Sequence, residues 1–345
     1  MLAKGWAWWM PVSLLVVGCG AAHAVPTEPI ERSAHEKRHG EANRTLEARL
    51  ARNANDPAAL AALVDLHIAR GGPDDLPQAR AAAERCALAN PDNSRCAEAL
   101  GNALTAQSNA GGMFDFVRNA RATRDAFERA LRFDPLNYRA RVSLMRFYLD
   151  TPFFLGGSEA RARELATETQ RTDPDLTRLM RAMCAFDDGK LGDAEEHILA
   201  ADLRDYELVQ GSQHALLLAL ANAHLDAGRH AQSGRLFREL SRLLPSSERG
   251  PYGLGLVARA QGRLAEAAAQ LERAAAIAPR PYVYKALGEV QEARREWQRA
   301  IAAYHAALAG VPPLARRDQA QVTAHLAQLE RRRRWRIRPR PVDSW

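Results

Sequence analysis

Aromatic side chains make up only 6% of this chain of 345 residues. Nowhere does it offer the roughly 20 consecutive apolar residues that a helix needs to cross a bilayer. The nearest candidate, Trp6 to Val17, is short and broken by Pro11, so no transmembrane anchor is expected. Patterns that carry chemistry are equally sparse. There is no Gly-rich phosphate loop, nucleophile elbow or Ser/His/Asp arrangement in supporting context, and the four cysteines lack the paired spacing of a zinc or thioredoxin-type site. Neither enzymatic activity nor a cofactor is expected. The body of the chain also lacks net charge. Residues 331–345 hold seven Arg against one Asp and, with Lys4, account for the formal charge of +7, leaving Val25 to Glu330 near neutral. That balance gives no reason to expect nucleic acid as a partner.

What the chain does have is Ala and Leu. Hydrophobic residues reach 47%, and these two strong helix formers dominate them, which predicts an all-α protein. The length suits two or three compact domains, or one array whose units pack only on their neighbours.

Residues 1–24 read as a secretory signal: Lys4, the apolar run, then small residues ending Ala22-His23-Ala24. The same segment contains Val16-Val17-Gly18-Cys19, similar to the lipobox of bacterial lipoproteins, in which the cysteine is lipidated. The first reading predicts a soluble periplasmic protein and the second a membrane-tethered lipoprotein; both place it in the cell envelope. In that oxidising setting Cys86 and Cys96, which flank the turn Asn90 to Asn93, are candidates for a disulfide, and Cys184 reads as a small buried residue.

Internal periodicity is the strongest signal. Prolines that close apolar helices stand at Pro57, Pro91, Pro135, Pro174, Pro245, Pro279 and Pro312, with gaps of 34, 44, 39, 71, 34 and 33 residues. A unit of about 34 residues fits three gaps directly, the longest as two units, and the other two with insertions. In register with them come Leu66-His67, Leu100-Gly101, Leu144-Met145, Met183-Cys184, Leu254-Gly255 and Leu287-Gly288, where a small second residue lets two helices approach. Second helices carry Phe127 and Ala130; Ala267, Leu271 and Ala274; Ala300, Tyr304 and Ala307, spaced to share one helix face. Gly228 and Gly262 fall where a tight turn joins paired helices.

This register resembles the tetratricopeptide repeat family over residues 41–312. The resemblance implies a right-handed α-solenoid of about seven to eight helical hairpins, with a concave groove that binds extended peptides or partner helices and with no catalytic centre. A polar lead-in is expected at 25–40, a capping helix at 313–334 with Val322, Leu326 and Leu329 on one side, and a basic tail at 335–345. His67, Met145 and Cys184 depart from the small-residue preference, so their units should pack less ideally. Insertions are expected at 107–116, containing Gly111-Gly112, and at 151–157, where Phe153, Phe154 and Leu155 either mark a contact or tuck back onto neighbouring helices.

Two sets of residues are candidates for function. His35-Glu36-Lys37-Arg38-His39 matches a zinc-protease string, but it stands among charges about ten residues into the mature chain, with no room upstream for a protease domain; it reads as a polar lead-in. The stronger set is the first-helix face: Arg95, Asn102, Arg139, Arg146, Arg178, Arg181, Asn222, Arg249, Tyr252, Arg259, Tyr282 and Lys285. Its Arg and Tyr content suggests an acidic or C-terminal peptide as partner. Val64 and Ile68 do not reproduce the carboxylate clamp of the family's chaperone-binding variant. The Arg-rich tail could touch anionic lipid or an acidic partner. The reading is a protein-binding envelope scaffold that supports assembly or regulation of a complex. The alternative is a small-ligand-binding component of an exported transport system. An enclosed apolar pocket would favour the alternative, and an open polar groove the scaffold.

Overall fold

The computed structural model describes residues 29–337, residue 73 excepted, with side chains over 40–331 apart from 207 and 208. The candidate signal segment with Cys19, and residues 338–345 of the tail, lie outside that range. Within it all regular structure is helical, and no helix is long and apolar enough to cross a membrane. The chain is an all-α solenoid of helical hairpins and divides into two compact units, residues 1–216 and 217–345.

Unit 1 contains α1 (Pro29–Arg52), α2 (Pro57–Arg70), α3 (Asp75–Ala89), α4 (Ser94–Phe133), α5 (Tyr138–Asp150), α6 (Glu159–Thr169), α7 (Pro174–Asp187), α8 (Leu191–Ala200) and the start of α9 (Glu207–Asp226). From α1 to α8 each helix packs on the next, and in addition α2 packs on α4 and α5 on α7. The first helices of successive hairpins therefore form an inner row. Unit 2 contains the rest of α9 with α10 (His230–Leu243), α11 (Arg249–Ala260), α12 (Leu264–Ile277), α13 (Pro281–Ala293), α14 (Trp297–Ala309) and α15 (Arg316–Ile337), and there α11 packs on α13 in the same way.

Not every proline closes a helix. Pro57 and Pro174 open α2 and α7, where a missing N–H costs nothing, and the preceding aspartates cap those helices. Asp56 accepts from the Ala58 and Ala59 amides at 2.9 and 3.1 Å, and Asp173 from Leu176 at 2.8 Å. The expected lead-in at 25–40 is helical from Pro29, so the His35 to His39 string lies on α1, with its side chains outside the described residues. The insertion at 107–116 extends the helical stretch up to a reversal at Gly112 (φ 73°, ψ −158°), where the span labelled α4 divides into two helices that fold back on each other and bring Phe127 onto Gly101. At 151–157 a short 3-10 turn, Phe153–Leu155, leaves Phe153 and Phe154 85% and 70% exposed, so these rings do not tuck back.

The small-residue register is realised in packing. An added Cβ would stand 2.4 Å from the Phe127 ring at Gly101, 2.7 Å from Leu271 at Gly255 and 2.5 Å from Tyr304 at Gly288. The departures from this register do not loosen their units. His67, Met145 and Cys184 are all buried, and the His67 ring lies 3.0 Å from Asp75 Oδ1. Burial pushes the Cys184 thiol up to about 11. The capping helix is present: Val322, Leu326 and Leu329 are buried against Ala300, Ile301, Tyr304 and Ala307.

Cys86 and Cys96 form a disulfide with Cα atoms 5.1 Å apart, joining α3 to α4 across ten residues. Loop closure of that length contributes about 2–3 kcal/mol. Cys86→Ser with Cys96→Ser should lower the urea-unfolding free energy of unit 1 by that amount; a loss under about 0.5 kcal/mol would show that the bridge adds no constraint.

Gly189, Gly228 and Gly262 end α7, α9 and α11 in the left-handed region, at φ of 73°, 71° and 74°. In the last hairpin Arg295 occupies the corresponding position at φ 63°. That conformation costs a non-glycine residue about 1–2 kcal/mol, against about 0.5–1 kcal/mol for the extra freedom of glycine in the unfolded chain. Arg295→Gly should therefore stabilise unit 2 by about 0.5–1 kcal/mol in thermal unfolding. A lower melting temperature would refute this.

Candidate functional site

The inner row of unit 1 holds an open cleft of about 410 Å³. Its walls come from Ala61 and Asp65 on α2, Arg95 and Glu98 on α4, Asp134 and Leu136 in the turn before α5, and Tyr138 and Arg139 on α5. Asp205 and Tyr206, in the turn before α9, close it.

Its floor is built by capping. Asn137 is the N-cap of α5, and its Oδ1 accepts from the Ala140 amide at 3.0 Å. The Asn137 Nδ2 donates to Glu98 Oε2 at 3.0 Å and to Ser94 Oγ at 3.0 Å. Two residues on, Arg139 donates both terminal nitrogens to Asp65, at 2.9 and 2.8 Å, and its Nε to Glu98 at 2.5 Å. Asn102, one turn beyond Glu98, donates to it at 3.2 Å. Burial raises the Glu98 carboxyl above its ordinary range, and the Arg139 guanidinium opposes that shift. Tyr138 and Tyr206 meet edge to face with ring centres 5.4 Å apart.

The structure thus changes the role of the arginine-rich face. Arg139 is a half-buried cation held by Asp65 and Glu98, not a free fork for an acidic ligand. Arg95 lines the cleft and Asn102 supports Glu98, whereas Arg146, Arg178 and Arg181 are not among the lining residues. Arg178 pairs with Asp175 at 2.7 Å and Arg181 donates to Gln170 at 2.7 Å.

In unit 2 Asn222 is half-buried on α9 and Arg249 half-buried at the start of α11. Tyr252 and Tyr282 meet edge to face at 4.8 Å, and the Tyr282 hydroxyl donates to buried Glu248 at 2.5 Å. Arg259 pairs with Glu289, and Lys285 with Asp318 at 2.7 Å and Glu289 at 3.7 Å. These cations too are engaged by carboxylates.

Reading only Arg, Asn, Lys and Tyr at inner positions missed Asp65, Glu98, Asp134 and Asp205, and with them Tyr138 and Tyr206. Counting acidic residues at the same register would have found the first two. The turn residues are brought in by tertiary packing alone. Among the described residues no group of three or more His, Cys, Asp and Glu is placed to hold a metal ion.

No protein-family model matches the sequence, and no curated protein matches it. Among solved structures, the chain is similar to yeast Tom70, with a TM-score of 0.59 and 13% identity, covering 91% of this chain and 63% of that one. It thus spans less than two thirds of the Tom70 chain. A tetratricopeptide repeat protein from Parabacteroides merdae aligns over 79% of this chain and 98% of its own, with 16% identity and a TM-score of 0.42. The APC/C hetero-tetramer Cut9-Hcn1 aligns over 81% and 50%, with 17% identity and a TM-score of 0.46. The fold is tetratricopeptide-like.

Proposed function

We propose that this chain is a non-enzymatic scaffold that binds protein or peptide segments in the bacterial cell envelope and supports assembly or regulation of a complex there. The unit 1 cleft carries this reading. It is open to solvent and has six charged side chains among its lining residues, the kind of site that holds an extended segment, and not the enclosed apolar pocket that a small-ligand carrier would need. The signal-like residues 1–24 and the Cys86–Cys96 disulfide support an oxidising, exported setting.

Mass spectrometry of the processed protein separates the two envelope readings: an N-terminus at Val25 means a soluble periplasmic protein, and a diacylated Cys19 means a lipoprotein. Binding is tested with a photo-crosslinking residue at Leu136, a cleft-lining position that is 55% exposed, and at Leu88, which is 82% exposed and outside the cleft lining. Cross-links to a discrete protein from position 136 and not from position 88 are expected. Equal labelling from both positions, or none from position 136, would defeat the proposal.

A further inference from the structure

We infer that the unit 1 cleft selects a cationic side chain, Lys or Arg, carried by an extended segment of the partner. This rests on the scaffold reading and names the chemistry of its site. Four carboxylates line the cleft, Asp65, Glu98, Asp134 and Asp205, against two guanidinium groups, Arg95 and Arg139. Arg139 is consumed within the wall, bidentate on Asp65 and bonded again to Glu98. It neutralises part of the floor and has no fork left for an incoming carboxylate.

The exposed rim carries the remaining field. Asp134 spends one oxygen on the Leu136 amide at 2.9 Å, and exposed Asp205, next to Tyr206 in the chain, also lines the cleft. The Tyr138 and Tyr206 rings add a surface that attracts cations by their quadrupoles. Leu136 and Val209 give the aliphatic stem of a Lys or Arg apolar wall to lie against. Concavity, aromatic rings, apolar wall and excess negative charge thus coincide; of the two lining cations, Arg139 is held by Asp65 and Glu98, and Arg95 opposes an incoming cation. The chain as a whole carries +7, so unspecific attraction would favour acidic ligands. A preference for basic ones has to come from the local field.

The test is fluorescence anisotropy of the purified protein with two rhodamine-labelled nonapeptides of Gly and Ser, one with Arg and the other with Glu at three alternate positions. The Arg peptide should bind at least about tenfold tighter than the Glu peptide. Asp134→Asn with Asp205→Asn should weaken it about tenfold; asparagine keeps the turn bond to Leu136, so folding is spared. Arg95→Ala should tighten it about threefold. Preference for the Glu peptide, with loss of that binding in Arg95→Ala, would overturn the cation assignment and leave the scaffold reading standing. Failure of both peptides to bind would also overturn it. Only the cross-linking outcomes named above, equal labelling from positions 88 and 136 or none from 136, would remove the scaffold reading as well.

Discussion

Gly288→Leu is expected to destabilise unit 2 by about 2–3 kcal/mol, Tyr304→Ala by about 3–5 kcal/mol, and the two together by at least about 2 kcal/mol less than their sum. Tyr304 is fully buried, and its ring edge leaves only 2.5 Å for a Cβ at Gly288. Leucine there must displace the ring, alanine at 304 leaves a cavity, and the pair exchanges volume between facing helices. The chain already contains the reverse arrangement. His67 takes the glycine's place in the α2–α3 hairpin, and Ala83, sixteen residues on as Tyr304 is from Gly288, is small and fully buried. Tyr304→Phe separates packing from polarity. The hydroxyl donates to Glu292 Oε2 at 2.9 Å, an oxygen that also meets His325 Nδ1 at 2.9 Å, so its loss should cost about 1 kcal/mol. Hydrogen exchange over residues 281–329 is the suitable measurement, because an array of hairpins need not unfold in one step. Strictly additive effects would show that the two side chains do not compete for the same space.

Arg139→Met should cost unit 1 about 3–5 kcal/mol near neutral pH, because Glu98 would keep its burial and lose its guanidinium. Glu98 is 6% exposed; with Arg139 gone, only the Asn137 and Asn102 amides would donate to it. The pH dependence has a definite sign. Burial already raises the Glu98 carboxyl in the folded protein, and removing the cation raises it further. A carboxyl raised on folding favours the folded state at low pH, and that advantage is lost as pH rises through its folded value. The gap between Arg139→Met and the parent should therefore be wider at pH 8 than at pH 5. Adding Glu98→Gln, which removes the buried charge but keeps the side-chain shape, should recover a substantial part of the loss. A pH-independent loss, or no recovery, would mean that the Arg139 side chain acts by packing alone. Arg139→Glu would confuse stability with binding, so Arg95 is the residue to change when binding is the question.

The hairpin array could be read from the chain because its determinants are local or repeat at fixed distance. Ala and Leu favour helix, aspartate and asparagine before the turns cap the next helix, and Gly101, Gly255 and Gly288 recur opposite Phe127, Leu271 and Tyr304. The same register placed Val322, Leu326 and Leu329 on the capping face. The site was less legible. Arg139 stands at the expected inner position, but whether it offers its charge to a partner or gives it to Asp65 and Glu98 depends on helices 74 and 41 residues apart in the chain. The exposure of Phe153 and Phe154 and the left-handed Arg295 also left no compositional trace. Composition and spacing thus determined which residues form helices and which helix faces meet, because those choices follow from backbone propensity and from volumes repeated in register. Tertiary structure alone decided the charge of the cleft, because pairing a cation depends on which carboxylates a distant helix or turn brings within hydrogen-bond reach.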